Sequence, residues 1–439
     1  MVADASQEPI PDWLAGALTE PLAAVVQAAA EALGPSPPRL TKYRLNRADA
    51  RRRWDVYEDG IDTQGLRVSQ PHVSNELIDP FSVVFGRLDT KTHPIGLQSD
   101  LSSIVSRFIV PFVRTYFDGA NSVDWDAQRF DRLLTQFVNE LFAETTVSVL
   151  TTPIRNLRFD EGFQSPLSID EGILLRGATS VDIEEWLSMT EHLLPRSQHF
   201  ALAEVNVFIE TEVEHEVGSP FTVFSGSQRR LNALVDALHI HCGPQVSPVF
   251  SYATSRRTLE PRASGIMSTT IPRFWGAPAT LQLDASNTLR ALYFRVLGED
   301  GVSAATKLAI RRLSLSGTRA SVEDRLIDYW VALEALFLRD MNQELSMRAS
   351  QRIAVYLRDA GPGRAEVLDA MRLSYAWRSA VIHGVSPKAE SKKDRLTLEQ
   401  ATERTEGYLR ETLVRSLLTE PLTQSLASDL DARVFPRKS

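Results

Sequence analysis

Arginine and histidine placed four to six residues apart suit one chemistry. A guanidinium grips a phosphate with paired hydrogen bonds, while an imidazole moves a proton near neutral pH. The spacing is known from nucleases. Three such pairs occur in the chain: Arg67/His72, Arg87/His93 and Arg378/His383. With 41 Arg and 8 His in 439 residues, chance supplies about two, so spacing alone decides nothing. The first two pairs lie among turn residues (Gln70-Pro71, Asp89-Thr90, His93-Pro94), where surface loops are expected.

The third pair closes a helical pattern over residues 365–383. At ~100° per residue, Leu368, Met371, Tyr375 and Ile382 form an apolar stripe, and Arg378 falls near its middle. A cation buried there alone would cost several kcal/mol, so an anionic group is expected to meet it. The plain structural alternative is a buried salt bridge from Arg378 to Glu334 or Asp328, on the helix that carries Trp330. Ser379 and His383 flank the stripe one turn apart, and Gly384 followed by Pro387 ends the pattern. A histidine in a last turn is also favourable simply because imidazolium suits the carboxyl end of a helix. Arg378 and His383 point about 140° apart on an ideal helix. Both reach one phosphate only if the helix end bends or a second subunit brings its own copies.

The elements that must position these residues change character along the chain. An amphipathic helix is expected over 13–33, stopped by Gly34-Pro-Ser-Pro-Pro38. Residues 39–97 are mixed, with a strand-like run at 81–85. Helical patterns follow at 101–117 and 125–142. Strands are expected at 145–150, 169–175, 202–213 and 246–253, with short helices at 182–189 and 228–238 between them. From about residue 285 no strand pattern occurs. Helical spacing runs through 288–297, 302–313, 321–339, 343–357, 365–383 and 398–418, joined by short loops as in an antiparallel bundle. The fold class is therefore α+β. A mixed α/β sensor or regulatory region over residues 1–283 precedes an all-α bundle over 284–439. The polar stretch 386–395 is expected to be a solvated connector.

Composition narrows the class of function. Forty-eight basic residues against 56 acidic ones give a formal net charge of −8, which argues against a nucleic-acid coat over the whole protein. Residues 1–300 hold 26 basic and 38 acidic side chains, whereas residues 301–439 hold 22 and 18. A polyanionic partner is expected at the C-terminal end. One cysteine, Cys242, excludes an intrachain disulfide and a cysteine-cluster metal site. The first residues lack a secretory pattern, and no window approaches ~18 uninterrupted apolar residues; the best, over 22–33, is broken by Gln27 and Glu31. A soluble, cytoplasmic protein without a membrane partner is expected. No phosphate loop, G-x-G-x-x-G, H-E-x-x-H or G-x-S-x-G occurs. His239-Ile-His241-Cys242 holds three possible metal ligands, yet its histidines are two apart at a helix end. Ordinary helix-end polar residues are expected there, and no metal or cofactor.

Three blocks stand in order in the C-terminal third: Glu323-Asp324-Arg325-Leu-Ile-Asp328-Tyr-Trp-Val-Ala-Leu-Glu334-Ala-Leu-Phe, Leu345-Ser-Met-Arg348-Ala-Ser-Gln-Arg352-Ile-Ala, and Tyr375-x-x-Arg378-Ser379-x-x-Ile-His383-Gly384. Together they resemble the Apea-like branch of the HEPN superfamily. More loosely, the stretch from Pro153-Ile-Arg-Asn-Leu to Glu171-Gly-Ile-Leu-Leu-Arg176 is similar to the region preceding the helical domain in such proteins. The resemblance implies a helical bundle forming a homodimer with its Arg/His motifs face to face. It implies metal-independent cleavage of RNA, as in toxins and antiviral abortive-infection effectors. The 2′-hydroxyl of RNA is its own nucleophile, so the protein supplies only an acid, a base and cations. Carried onto this chain, His383 is the general base or acid, Arg378 holds the scissile phosphate, and Glu334 orients Arg378. Ser379 departs from the Asn, Asp or His common after the arginine in active members; it can donate to phosphate or orient His383. The alternative is a non-catalytic HEPN module that binds RNA or a partner protein. In the RNA-cleaving reading the acidic N-terminal region is expected to sense an unknown trigger or restrain the nuclease, and no chemistry is legible in residues 1–283.

Overall fold

A computed structural model describes residues 12–33, 39–45, 54–61, 80–81, 83–84, 108–117, 123–143, 145–161, 166–178, 205–216, 220–256, 266–268, 278–298, 302–338, 345–358, 362–384, 396–423, 429–431 and 433. The pairs Arg67/His72 and Arg87/His93, the stop at 34–38, the helix expected at 182–189 and the connector 386–395 lie outside the described residues.

The first buried cluster is helical. It joins α1 (Asp12–Leu33), α2 (Val110–Phe117) and α3 (Ala127–Leu141). Leu14, Leu18, Leu22, Val25 and Val26 of α1 recur at helical spacing and are buried with Phe112, Phe117, Phe130 and Phe137. Edge-to-face rings lock the centre, with Phe112 and Phe137 at 4.9 Å and Phe112 and Phe130 at 5.5 Å. The helix α1 begins at Asp12, so its apolar stretch is longer than the expected 22–33 window. Residues Trp13–Glu31 are long and apolar enough to cross a membrane by length and composition alone. Here the apolar side of that helix is packed against α2 and α3. The strand-like run at 81–85 is corrected: its described residues Phe81, Val83 and Val84 are helical, and Phe81 joins this cluster.

Two strands, β1 (Arg39–Leu45) and β2 (Trp54–Ile61), pair antiparallel as a separate ribbon. The main sheet is antiparallel throughout. It takes β3 (Thr145–Arg155), then β4 (Leu157–Phe159) leaves it, and β5 (Leu167–Asp170), β6 (Ile173–Gly177) and β7 (Val205–Glu216) return. The long helix α4 (Pro220–Cys242) follows, then β8 (Ser247–Pro248), β9 (Phe250–Ser255) and β10 (Ile266–Ser268). The strand order is β10-β9-β3-β7-β6-β5, with β8 also on β3. A short strand β11 (Ala279–Leu281) pairs parallel with β4. The strand expected over 169–175 is instead a hairpin, because Glu171 and Gly172 turn the chain between β5 and β6.

Alternation gives this sheet two unlike faces. Leu150, Ile154, Val207 and Ile209 are buried in the same core as Leu231, Leu234, Ala237 and Leu238 of α4. The other face carries cross-strand ion pairs, Arg176 with Glu210 at 2.6 Å and Arg256 with Glu212.

After a short 3-10 turn at Leu283–Ala285, the described residues form the helices α5 (Ser286–Gly298), α6 (Ala304–Ser316), α7 (Val322–Phe337), α8 (Leu345–Leu357), α9 (Pro362–His383) and α10 (Leu398–Leu418). Ser321 caps α7 by accepting from the Asp324 N–H at 3.1 Å, with Glu323 and Asp324 in the first turn. Thr397 and Gln400 form a reciprocal capping box on α10. The protein is α+β. One continuous buried core holds Leu150 of the sheet, Leu234 of α4, Trp330 of α7 and Leu413 of α10, so the expected division at 283/284 runs through it.

At its C-terminal end α6 is pressed against the turn that follows α4. A Cβ built at Gly317 would collide with the Pro244 carbonyl oxygen, and backbone cannot swing aside as a flexible side chain can. Replacement Gly317→Ala is expected to lower unfolding stability by roughly 1–3 kcal/mol, read from urea denaturation. An unchanged midpoint and slope would mean that the close approach of α6 to the Gly243-Pro244 turn is absent.

Candidate functional site

Helix α9 carries the Arg/His motif, and its apolar stripe runs from the core to the surface. Val367, Ala370, Met371 and Ser374 are buried, Tyr375 and Arg378 are half-buried, and Ile382 is 47% exposed. His383 is exposed, and Gly384 takes the left-handed φ of 64° that ends the helix at low cost for glycine. The motif thus sits where the stripe leaves the bundle.

Upstream contacts fix how α9 lies on α7. The Trp330 indole donates to Ser374 Oγ at 2.8 Å, and Ser374 shares a 2.5 Å hydrogen bond with Thr405 of α10. The next residue, Tyr375, stands edge-on to Trp330 with ring centroids 4.9 Å apart. Tyr375 in turn supports Arg378, whose guanidinium lies over the tyrosine ring at 5.2 Å and donates to its hydroxyl at 3.4 Å.

The anionic partner of Arg378 is Glu334. Arg378 Nη2 lies 3.1 Å from Glu334 Oε1 and 3.3 Å from Oε2, with both side chains less than a quarter exposed. Asp328, the other expected partner, is taken: it is buried and accepts from Arg312 at 2.9 Å and Arg319 at 2.7 Å. Burial pushes the Glu334 carboxyl above its usual 4.5, and the Arg378 guanidinium pulls it back down. Arg378 Nε is buried with no hydrogen-bond partner among the described residues. Ser379 is half-buried, and neither it nor His383 makes a side-chain hydrogen bond to a described residue. Glu334, Tyr375 and Arg378 are therefore brought together. Ser379 and His383 follow on α9 without a side-chain hydrogen bond to them.

The His239–Cys242 segment ends α4 as expected. Its histidine and cysteine side chains do not converge, and no group of three His, Cys, Asp or Glu side chains among the described residues could hold a metal ion. Burial pushes the Cys242 thiol up to about 12, leaving it a protonated core side chain. His239 has a different role, which the sequence reading missed. Its Nε2 donates to the Val246 carbonyl at 2.7 Å, and its Nδ1 lies 2.9 Å from Ser314 Oγ. Ser314 Oγ lies 2.6 Å from Asp236 Oδ1. Asp236 and His239 are three residues apart on one helix, a signal the sequence offers. Ser314 enters from α6, 78 residues beyond Asp236, and no local pattern points to it.

No family model matches the chain, and no curated protein or solved structure is significantly similar to it.

The Glu334–Arg378 pair can be separated from its function by a double-mutant cycle. Arg378→Met alone strands a half-buried carboxylate and is expected to destabilise the fold by roughly 1–3 kcal/mol at neutral pH. Without the guanidinium the Glu334 pKa rises further. A carboxyl whose folded pKa lies above its unfolded value weakens the fold fully above the folded pKa, less between the two values, and not at all below the unfolded one. The penalty should therefore shrink as pH falls through the raised value. Adding Glu334→Gln should restore most of the stability. Equal, additive losses from both changes would show that the two side chains do not interact.

Proposed function

We propose that this protein is a metal-independent endoribonuclease of HEPN type, acting as a toxin or antiviral abortive-infection effector in the cytoplasm. Support comes from one observation above all. A guanidinium is held in fixed orientation by Glu334 and Tyr375, with its side chain 22% exposed, at the point where α9 emerges beside an exposed histidine. That is what recognition of a phosphodiester next to a proton-transfer group needs. The three-block resemblance carries the same assignment.

In this reading Arg378 holds the scissile phosphate and offsets charge that develops on the phosphorane. His383 takes the proton of the 2′-hydroxyl or protonates the departing 5′-oxygen. Ser379, one turn before His383, donates to phosphate or orients the imidazole. Glu334 is a positioning residue that acts through Arg378. Two proton transfers ask for two histidines, and the ~140° divergence of Arg378 and His383 asks for a second helix. A two-fold homodimer that faces α9 against its copy answers both demands. The exposed Ile382, in line with the apolar stripe of α9, fits burial in such an interface. The N-terminal region, through residue 283, is assigned to sensing or restraint.

A second reading has an observation of its own. The Glu334–Arg378 pair already partners the cation inside the fold, as a structural salt bridge would. A HEPN module that binds RNA or a partner protein without cutting then follows.

Purified protein incubated with total RNA in EDTA separates the two. Cleavage leaving 2′,3′-cyclic phosphate and 5′-hydroxyl ends is expected from wild type. His383→Ala should lower the rate about 10²–10⁴-fold with an unchanged melting temperature, because the side chain is exposed and unbonded to described residues. Equal cleavage by both proteins would remove His383 from the mechanism. RNA binding by both without cleavage would favour the binding module.

A further inference from the structure

Helices α4 and α6 diverge from the close contact at Gly317 and Pro244, leaving a groove of about 770 Å³ between them. That volume lies within the roughly 300–1,000 Å³ usual for small-molecule sites. Val296 and Leu297 at the end of α5, with Val302, Ile310 and Leu315, give it an apolar wall. Its two ends differ in chemistry. Arg229 and Lys307 stand at the wide end, Asp236 and Ser314 close the narrow one, and Arg311 lies between them, about one turn from Ser314.

The hydrogen bonds at the narrow end fix a proton count. A carbonyl only accepts, so His239 Nε2 carries a proton toward Val246. The single Ser314 hydroxyl proton then lies between two acceptors, the Asp236 carboxylate and His239 Nδ1. Either Asp236 is protonated and donates to Ser314, which donates to a neutral imidazole, or Ser314 donates to a carboxylate and an imidazolium donates to Ser314. Burial raises Asp236 and lowers His239, favouring the uncharged arrangement. In both states the second carboxyl oxygen of Asp236 keeps acceptor capacity at the groove wall. Three basic side chains against this one carboxyl give the groove lining a net positive charge, concentrated at the wide end.

Arg229 and Asp236, like Lys307 and Ser314, are seven residues apart on their helices, a separation of about 10 Å. A ligand that satisfies the groove has an anionic group at one end, a flat or apolar body, and an N–H donor at the far end. A nucleoside monophosphate has that order of groups and that reach.

We propose that the groove between α4 and α6 is a binding site for a nucleoside monophosphate, with its phosphate at Arg229 and Lys307, its body beside Arg311 and its base edge at Asp236 and Ser314. The site stands apart from Arg378 and His383 and does not depend on the nuclease reading. Calorimetric titration of the full chain with each of the four ribonucleoside 5′-monophosphates tests it, with inorganic phosphate alongside. At least one nucleotide should bind with one-to-one stoichiometry and tighter than phosphate. The double variant Lys307→Glu/Arg311→Glu, at two exposed positions, should weaken that binding at least tenfold. Asn232→Trp, at an exposed position on the groove wall, should abolish it by filling the space. Melting temperatures of both variants should stay at the wild-type value, which shows that the loss is local. The proposal is overturned if none of the four nucleotides binds at millimolar concentration, if phosphate binds as tightly as they do, or if both folded variants bind like wild type.

Discussion

Helix α7 is enclosed by the bundle, and each polar group it buries must find a partner on the elements packed around it. Asp328 meets Arg312 and Arg319 at the end of α6. The Tyr329 hydroxyl donates to Glu406 of α10 at 2.9 Å, and the Trp330 indole donates to Ser374 of α9. Glu334 meets Arg378, and the carbonyl of Phe337 accepts from the wholly buried Arg352 of α8, which also pairs with Asp431. Apolar packing alone would let these helices slide past one another by a turn at modest cost. Five polar ties along one helix forbid it, because a slip leaves several buried groups unpaired at once.

Three of those ties lie deep in the bundle, while those of Asp328 and Glu334 reach its surface through their arginines: Arg312 and Arg319 are 35% and 40% exposed at their side chains and Arg378 is 22% exposed. The same kind of contact that registers α7 against its neighbours therefore presents an oriented guanidinium to the outside. Tyr375 completes the arrangement by stacking under the cation while leaning on Trp330. A phosphate-binding arginine gains most from being held before substrate arrives, since ordering the side chain afterwards would weaken the contact. The chemistry proposed at α9 draws on the rigidity of the bundle.

Local pattern made much of this legible in the sequence. The cap at Ser321, the apolar stripe of α7 and the need of Arg378 for an anion all follow from spacing and from the cost of burying charge. The choice between Asp328 and Glu334 did not follow. They are six residues apart on one helix, about 240° around its axis, and which face meets which neighbour is a tertiary fact. Helix α4 runs over 23 residues rather than the eleven of 228–238, because buried Ser227 and the Ser-Gly-Ser step weaken the helical pattern that packing nevertheless imposes. The turn at Glu171 and Gly172 hid between apolar residues that read as one strand. Contacts that join distant segments, such as Asp236 to Ser314 or Arg352 to Asp431, left no local trace.

The central claim is that Arg378 of one protomer and His383 of its copy act on one phosphate. Subunit mixing tests it most directly. The pair Glu334→Gln/Arg378→Met in one protein and His383→Ala in the other should each be inactive alone. Once heterodimers are demonstrated by native mass spectrometry, the mixture should regain cleavage with cyclic-phosphate ends, at a rate well below wild type, because one composite site per heterodimer keeps an Arg378 and one of the two histidines. A silent mixture with heterodimers present, or full activity in a strictly monomeric wild-type protein, would contradict the account.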